Sequence, residues 1–203
     1  MEVVLIIFFL LIILSNFYKS KIKGIIGEKT VSSILNLLDK SEYKIINDVV
    51  LKAGNTTTQI DHLVISNFGI FVIETKNYKG WILGYENSEY WTQVIFKRKE
   101  KFYNPIRQNL GHIKAIKNCL NEFSNIEYIS IIAFSSNSEI KVKTTTDVVY
   151  TYKLIPTIKK YSKTNLTEKE KEEIFNKINE DNIRKTYNKK LHVKYINEKL
   201  KRV

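Results

Sequence analysis

The sequence predicts an α/β domain, a mixed β-sheet with flanking helices, preceded by one apolar N-terminal helix able to cross a bilayer. Three features carry that expectation. Residues 59–66 and 70–76 are two mainly apolar arms rich in β-branched residues on either side of Asn67-Phe68-Gly69. That is the composition of strands buried on both faces, joined by a turn whose Asn and Gly accept positive φ. Val31, Ile34, Leu35 and Leu38 recur at helical spacing before this hairpin, and Ile106, Leu110, Ile113 and Leu120 after it, so apolar helix stripes are available to pack on the sheet. Val3 to Leu14 is a run of twelve apolar residues.

The apolar run extends uncharged to Tyr18, sixteen residues in all, or roughly 24 Å of helix against a hydrocarbon core of ~30 Å. Lys19, Lys21 and Lys23 follow it, which places the N-terminus outside and the remainder in the cytoplasm. Glu2 and the lack of an Ala-x-Ala-like site argue against a cleaved signal peptide. The alternative is a buried strand or helix of the domain, which the lack of an amphipathic period disfavours. The chain then divides into an anchor with its basic juxtamembrane segment (1–23), a central domain (24–162), and a C-terminal helix with a basic tail (163–203).

Residues 24–40 read as the first helix of the domain, with Glu28 in its first turn, where a carboxylate favours the helix dipole. Residues 43–51 form the first strand, 52–57 a polar connection, and the hairpin supplies strands two and three. Residues 81–85 and 90–96 make a further pair, followed by Lys97-Arg98-Lys99-Glu100-Lys101 beside Trp91, Phe96, Phe102 and Tyr103. This mixture suits either a phosphate-binding rim around Lys97, Arg98 and Lys99 or a solvated hairpin tip. Asn104-Pro105 is a helix start, N-cap then proline at the first helical position. The helix runs to about 122 and carries a second, uncharged stripe of Gln108, His112, Ala115 and Cys119. That stripe would press Gln108 and His112 toward the sheet. Residues 126–135 and 147–153 read as strands and 155–161 as a short helix, and Thr167 with Glu170 forms a capping box opening a helix to about 180. The stretch from Arg184 to Val203 holds eight Lys or Arg and one Glu, suited to nucleic-acid phosphates or to anionic lipid.

The 203 residues carry a formal charge of +12 with a pI near 9.5, which favours an anionic partner, although the Lys-, Ile- and Asn-rich composition accounts for part of the excess. Cys119 is the single cysteine, which excludes an intramolecular disulfide and a cysteine zinc site.

The chemistry concentrates in the hairpin. Antiparallel pairing about the turn sets Asp61 opposite residues 74 to 76, and the two-residue alternation puts Glu74 and Lys76 on one face. Two carboxylates beside one lysine in an apolar sheet is metal-hydrolase chemistry. Glu-x-Lys also occurs at Glu42-Tyr43-Lys44 and Glu139-Ile140-Lys141, but in polar surroundings and without a strand aspartate upstream.

The ordered set Gly27-Glu28, Ile60-Asp61-His62, Gly69-Ile70-Phe71-Val72-Ile73-Glu74-Thr75-Lys76-Asn77 and Asn104-Pro105 with Gln108 and His112 resembles the nuclease-related domain, NERD. That family is a branch of the PD-(D/E)xK, or restriction-endonuclease-like, superfamily. The resemblance covers about residues 24 to 125 and is looser to about 160. It implies a restriction-endonuclease-like core and a phosphodiesterase acting on DNA with Mg²⁺ or Mn²⁺. Asp61, Glu74 and the Thr75 carbonyl would hold the ion, Lys76 the attacking water, and Glu28 would assist as the first-helix acid. Gln108, His112, Lys97, Arg98 and Lys99 would contact nucleic acid. A non-catalytic binding module of the same fold, holding nucleic acid or a protein at the membrane, is the competing expectation.

Overall fold

The computed structural model describes Tyr18 and residues 21–185. The apolar run at 3–14, Lys19 and the tail beyond 185 lie outside those residues, so the expected transmembrane helix gains no structural support. Among the described residues no helix is long and apolar enough to cross a membrane.

Helix α1 spans residues 21–35. Strands β1 (Lys44–Ala53), β2 (Thr56–Ser66) and β3 (Gly69–Lys76) follow as an antiparallel meander. Strand β7 (Tyr128–Phe134) runs parallel to β3, and β9 (Asp147–Tyr150) parallel to β7, closing a five-stranded sheet of order β1-β2-β3-β7-β9. Helices α2 (Pro105–Cys119) and α4 (Glu168–Asp181) bury Ile113, Ile116, Ile174 and Ile178 against one face of this sheet. On the other face, α1 and α3 (Leu154–Lys159) bury Val31, Leu35, Leu154 and Ile158. The central strands are therefore covered on both sides, which is why β3 reads as an unbroken apolar run until Glu74.

A second sheet, of order β6-β5-β4-β8, is built from β4 (Gly80–Tyr85), β5 (Tyr90–Ile95), β6 (Arg98–Tyr103) and β8 (Ser138–Lys143). Its inner face buries Ile82 and Trp91 against Ile106, Ile132 and Phe134. Two of these strands correct the sequence reading. The basic stretch 97–101 is mostly β6, with Phe96 at the turn in positive φ (53°). Glu139-Ile140-Lys141 lies in β8, which alternates Ile140 and Val142 inward with charged residues outward.

Helix boundaries differ in one respect that matters for the site. Helix α1 is already formed at Lys21, so Glu28 lies two turns inside it, and the helix-dipole explanation of that residue falls away. On α2, Asn104 caps as expected, accepting from the Ile106 N–H at 2.9 Å. Leu110, expected in the apolar stripe, is exposed, and Asn109 is buried in its place.

At the turn, Ser66 pairs with Gly69. Gly69 alone of the turn residues takes positive φ (137°), and a Cβ there would stand 2.5 Å from the Glu127 carbonyl oxygen. Further along, the β1–β2 ladder is broken at one pair, with the same register on either side. Asn47 pairs with His62 and Val49 with Ile60, but the Asp48–Asp61 pair is missing and Asp48 adopts φ 59°. Ile46 and Leu63 on one side of the break, and Val49, Leu51 and Ile60 on the other, all enter the same core cluster. An unbroken pleat would send Ile60 and Leu63 to opposite faces. This local break takes Asp61 out of the alternation.

Candidate functional site

Register places Asp61 beside the end of β3, as the hairpin arithmetic expects: His62 pairs with Ile73, so the next position outward is Glu74. Released from the pleat, Asp61 accepts a hydrogen bond at Oδ2 from the Thr75 N–H at 2.8 Å. Glu74 is buried, and each of its oxygens has a partner. Oε1 accepts from Lys76 Nζ at 2.7 Å and Oε2 from His112 Nε2 at 3.2 Å. The other ring nitrogen, Nδ1, is hydrogen-bonded with the Thr58 hydroxyl, 2.7 Å away. Lys76 Nζ also donates to Gln108 Oε1 at 3.0 Å. The second stripe of α2 thus does press Gln108 and His112 onto the sheet. His112 is 5% exposed and braces Glu74.

These contacts divide the two carboxylates electrostatically. Burial favours protonation of Glu74, but the His112 hydrogen bond and the Lys76 charge outweigh it and hold its pKa below the ordinary value. The Lys76 ammonium is penalised by burial and more than compensated by Glu74, so its pKa is raised. Among the described residues no cation is in hydrogen-bond contact with Asp61. Burial first, then the charges of Glu74 and Glu28, outweigh the Thr75 N–H and push its pKa up to about 8.

Asp61 and Glu28 line one cavity of about 730 Å³, together with Asn47 and His62 and the cations Lys21, Lys29 and Arg184. Glu28, expected from the sequence as the first-helix acid, is therefore brought to Asp61 across the α1–β2 gap. Helix α1 is held there by Asn77, which donates to the Lys23 carbonyl at 2.7 Å, and by Gly27, where a Cβ would stand 2.7 Å from that of Asn77. His62 is buried, bonded at Nδ1 to Asn47 Oδ1 at 2.7 Å, and burial lowers its pKa to about 4, so it is neutral.

Among the described residues no three His, Cys, Asp or Glu side chains converge closely enough to hold a metal ion as built. The donor chemistry nevertheless fits a hard divalent cation. Asp61 is a half-buried carboxylate carrying surplus proton affinity beside Glu28 and Glu74, and a cation offsets the same negative charge as the proton. Of the remaining expected residues, Lys97 is at the β5–β6 turn, and Arg98 and Lys99 lie in β6 of the second sheet. Thr58, Asn109 and Asn47 are site residues that the sequence reading does not reach. Asn109, which donates to the Val72 carbonyl at 2.7 Å and to Ser130 Oγ at 2.9 Å, has one signal: a polar residue between two apolar positions of a buried helix face.

The profile of the nuclease-related domain matches residues 23–135. An uncharacterized protein of Bacillus anthracis is 40% identical over 184 residues, 88% of this chain and 86% of its own length. No solved structure matches the chain significantly. The matched segment begins in α1, ends just past β7 and contains Glu28, Asp61, Glu74, Lys76, Gln108 and His112; more than half of the chain lies within it, and the chain belongs to the nuclease-related domain family.

Proposed function

We propose that this chain is a metal-dependent phosphodiesterase acting on DNA, built on a restriction-endonuclease-like core and tethered to the cytoplasmic face of the cell membrane by its apolar N-terminal run. The observation that carries the catalytic part is the divided carboxylate pair. Glu74 stays ionised on Lys76 and His112, while Asp61 faces a cavity with Glu28 and holds a proton that a divalent ion would displace.

Asp61, with Glu28 and Glu74, would hold Mg²⁺ or Mn²⁺. Such an ion supplies Lewis acidity toward a phosphoryl oxygen and a water of lowered pKa. Lys76 commits two of its three donors to Glu74 and Gln108, and the third is available to hold a water or a phosphate oxygen. Gln108 and His112 keep Lys76 and Glu74 in place. Lys21, Lys29 and Arg184 at the cavity attract the phosphate backbone.

The second reading is a binding module that does not cut, favoured by one observation: both Glu74 oxygens already have protein partners. A cleavage assay on the full-length chain in mild detergent separates the two. Single- and double-stranded DNA and RNA are offered with Mg²⁺, Mn²⁺ or EDTA, with Asp61→Asn as control. Metal-dependent cutting that disappears in the variant supports the nuclease; binding without cutting by the folded parent supports the module. Resistance to carbonate extraction supports the tether, and recovery in the soluble fraction ends it.

A further inference from the structure

The outer face of the second sheet has no part in the chemistry above. Alternation along β4 puts Trp81, Leu83 and Tyr85 on one side, opposite the buried Ile82. Cross-strand register extends that side: Trp81 pairs with Val94, Leu83 with Thr92, and Tyr90 with Tyr103. The face therefore presents Trp81, Tyr85, Tyr90 and Tyr103, which are 49%, 63%, 51% and 46% exposed. Large aromatic rings left this open on three adjacent strands do not serve core packing.

The same register adds charge of one predominant sign. Lys99 pairs with Val94 and Lys101 with Thr92, while Lys141 pairs with Leu83 and Lys143 with Tyr85. Glu139, opposite Trp81, is the acid that these strands contribute to this face, and it is bonded to Lys141 at 3.0 Å. Lys141 Nζ also lies 3.8 Å from the Trp81 ring centroid, so cation and ring already sit together. Of the basic residues expected to meet nucleic acid, Lys99 belongs to this face. Arg98 is on the opposite side of β6, ion-paired with Glu100, and Lys97 is at the turn.

We propose that this face is a binding platform for single-stranded nucleic acid, separate from the carboxylate site. Exposed rings spread over neighbouring strands stack unpaired bases, and interleaved lysines neutralise the backbone. A duplex keeps its bases stacked on each other, out of reach of such rings, so the chemistry selects a single strand. The platform is joined directly to the site: Lys76 ends β3 and Gly80 begins β4, four residues and at most about 14 Å apart.

The test is fluorescence anisotropy of the full-length chain in mild detergent with EDTA, using a labelled oligothymidylate of about 15 nucleotides, near the upper site size for such folds. Trp81→Ala, Tyr85→Ala and Tyr90→Ala should each weaken binding by about fivefold or more, while Tyr85→Phe and Tyr90→Phe bind like the parent. Lys99→Ala and Lys101→Ala together should reduce the slope of log affinity against log salt by about 1.4. Trp91 is buried and Trp81 exposed, so the oligonucleotide should quench a Trp81 signal that Trp81→Phe abolishes. Alanine variants that keep their circular dichroism and bind with parental affinity overturn the platform. So does competition by duplex DNA or polyglutamate as effective as that by the unlabelled oligonucleotide. Oligonucleotide binding by the parent that the alanine variants weaken, with no cleavage once Mg²⁺ or Mn²⁺ replaces EDTA, ends the nuclease reading and leaves the platform standing.

Discussion

Thr75 and Asp61 are joined by a hydrogen bond from backbone N–H to Oδ2, and this donor is outweighed by the burial and neighbouring carboxylates that drive Asp61 toward its neutral form. The unfolded chain releases that proton near the ordinary value of 3.8, the folded chain near 8. Stability from this group is therefore full below about pH 4 and lost as pH rises through 8. His62 acts in the other direction: its pKa falls from 6.5 to about 4, so its contribution is full above 6.5 and lost as pH falls toward 4. Between 6.5 and 8 Asp61 acts without His62. Thermal melts should show the parent losing stability across that interval and Asp61→Asn holding level. Mg²⁺ should raise the parent's Tm more at pH 8 than at pH 6.5. Parallel curves for parent and variant would remove the proton from Asp61.

Glu74→Gln keeps the shape of Glu74 but removes its charge and turns one of its two acceptors into a donor, leaving Lys76 without its buried counter-charge. Its expected signature is a lower Tm together with a fall in cleavage of about 10²-fold or more. Lys76→Ala should likewise lower both, because an uncompensated buried carboxylate costs about 3–5 kcal/mol. Paired melts and single-turnover cleavage check this, and a Glu74→Gln protein cutting at the parental rate takes these residues out of the chemistry.

Gly27→Ala sets two effects against each other. Alanine in a helix gains about 1 kcal/mol over glycine, but the new Cβ would meet the Asn77 Cβ at 2.7 Å, and overpacking costs about 1–3 kcal/mol. The clash should win, lowering Tm and loosening Glu28 from Asp61. Adding Asn77→Gly should recover part of the stability, a coupling that a double-mutant cycle reads directly.

The basic tail is tested by ending the chain after Lys185, which spares Arg184 and its ion pair with Asp48. For every tail cation that neutralises a phosphate, the truncation should flatten the salt dependence of DNA affinity by about 0.7–0.9. An unchanged slope assigns Lys189, Lys190, Lys194, Lys199, Lys201 and Arg202 to lipid or to solvent.

The five-stranded sheet and its helices are legible in the sequence because buried strands and helix stripes leave apolar periods, and the Asp61–Glu74–Lys76 set because a short turn fixes register by counting. Glu28 reaches the cavity through packing of α1 on Asn77, which no local pattern encodes. Strand β6 is hidden because Arg98, Lys99, Glu100 and Lys101 are charged on both faces at a sheet edge. Strand β8 does carry the period-two signal in Ile140 and Val142, but its flanking charges mask the alternation and its Glu-x-Lys draws attention to chemistry instead. The brace of Thr58 on His112 joins residues 54 apart in sequence, a distance at which a hydroxyl leaves no trace.

The break at Asp48 and Asp61 leaves one residue in each strand that the ladder does not use, with the count kept on both sides. Removing one residue from β2 alone would leave β1 with a single unmatched residue, a bulge that an edge strand absorbs. Removing one from each strand would restore a regular pleat, keep Ile60 and Leu63 on one face, and leave the aspartate with no irregular position to occupy. The sheet therefore closes equally well without the acid, and the extra residue in each strand is spare length that the fold itself does not require.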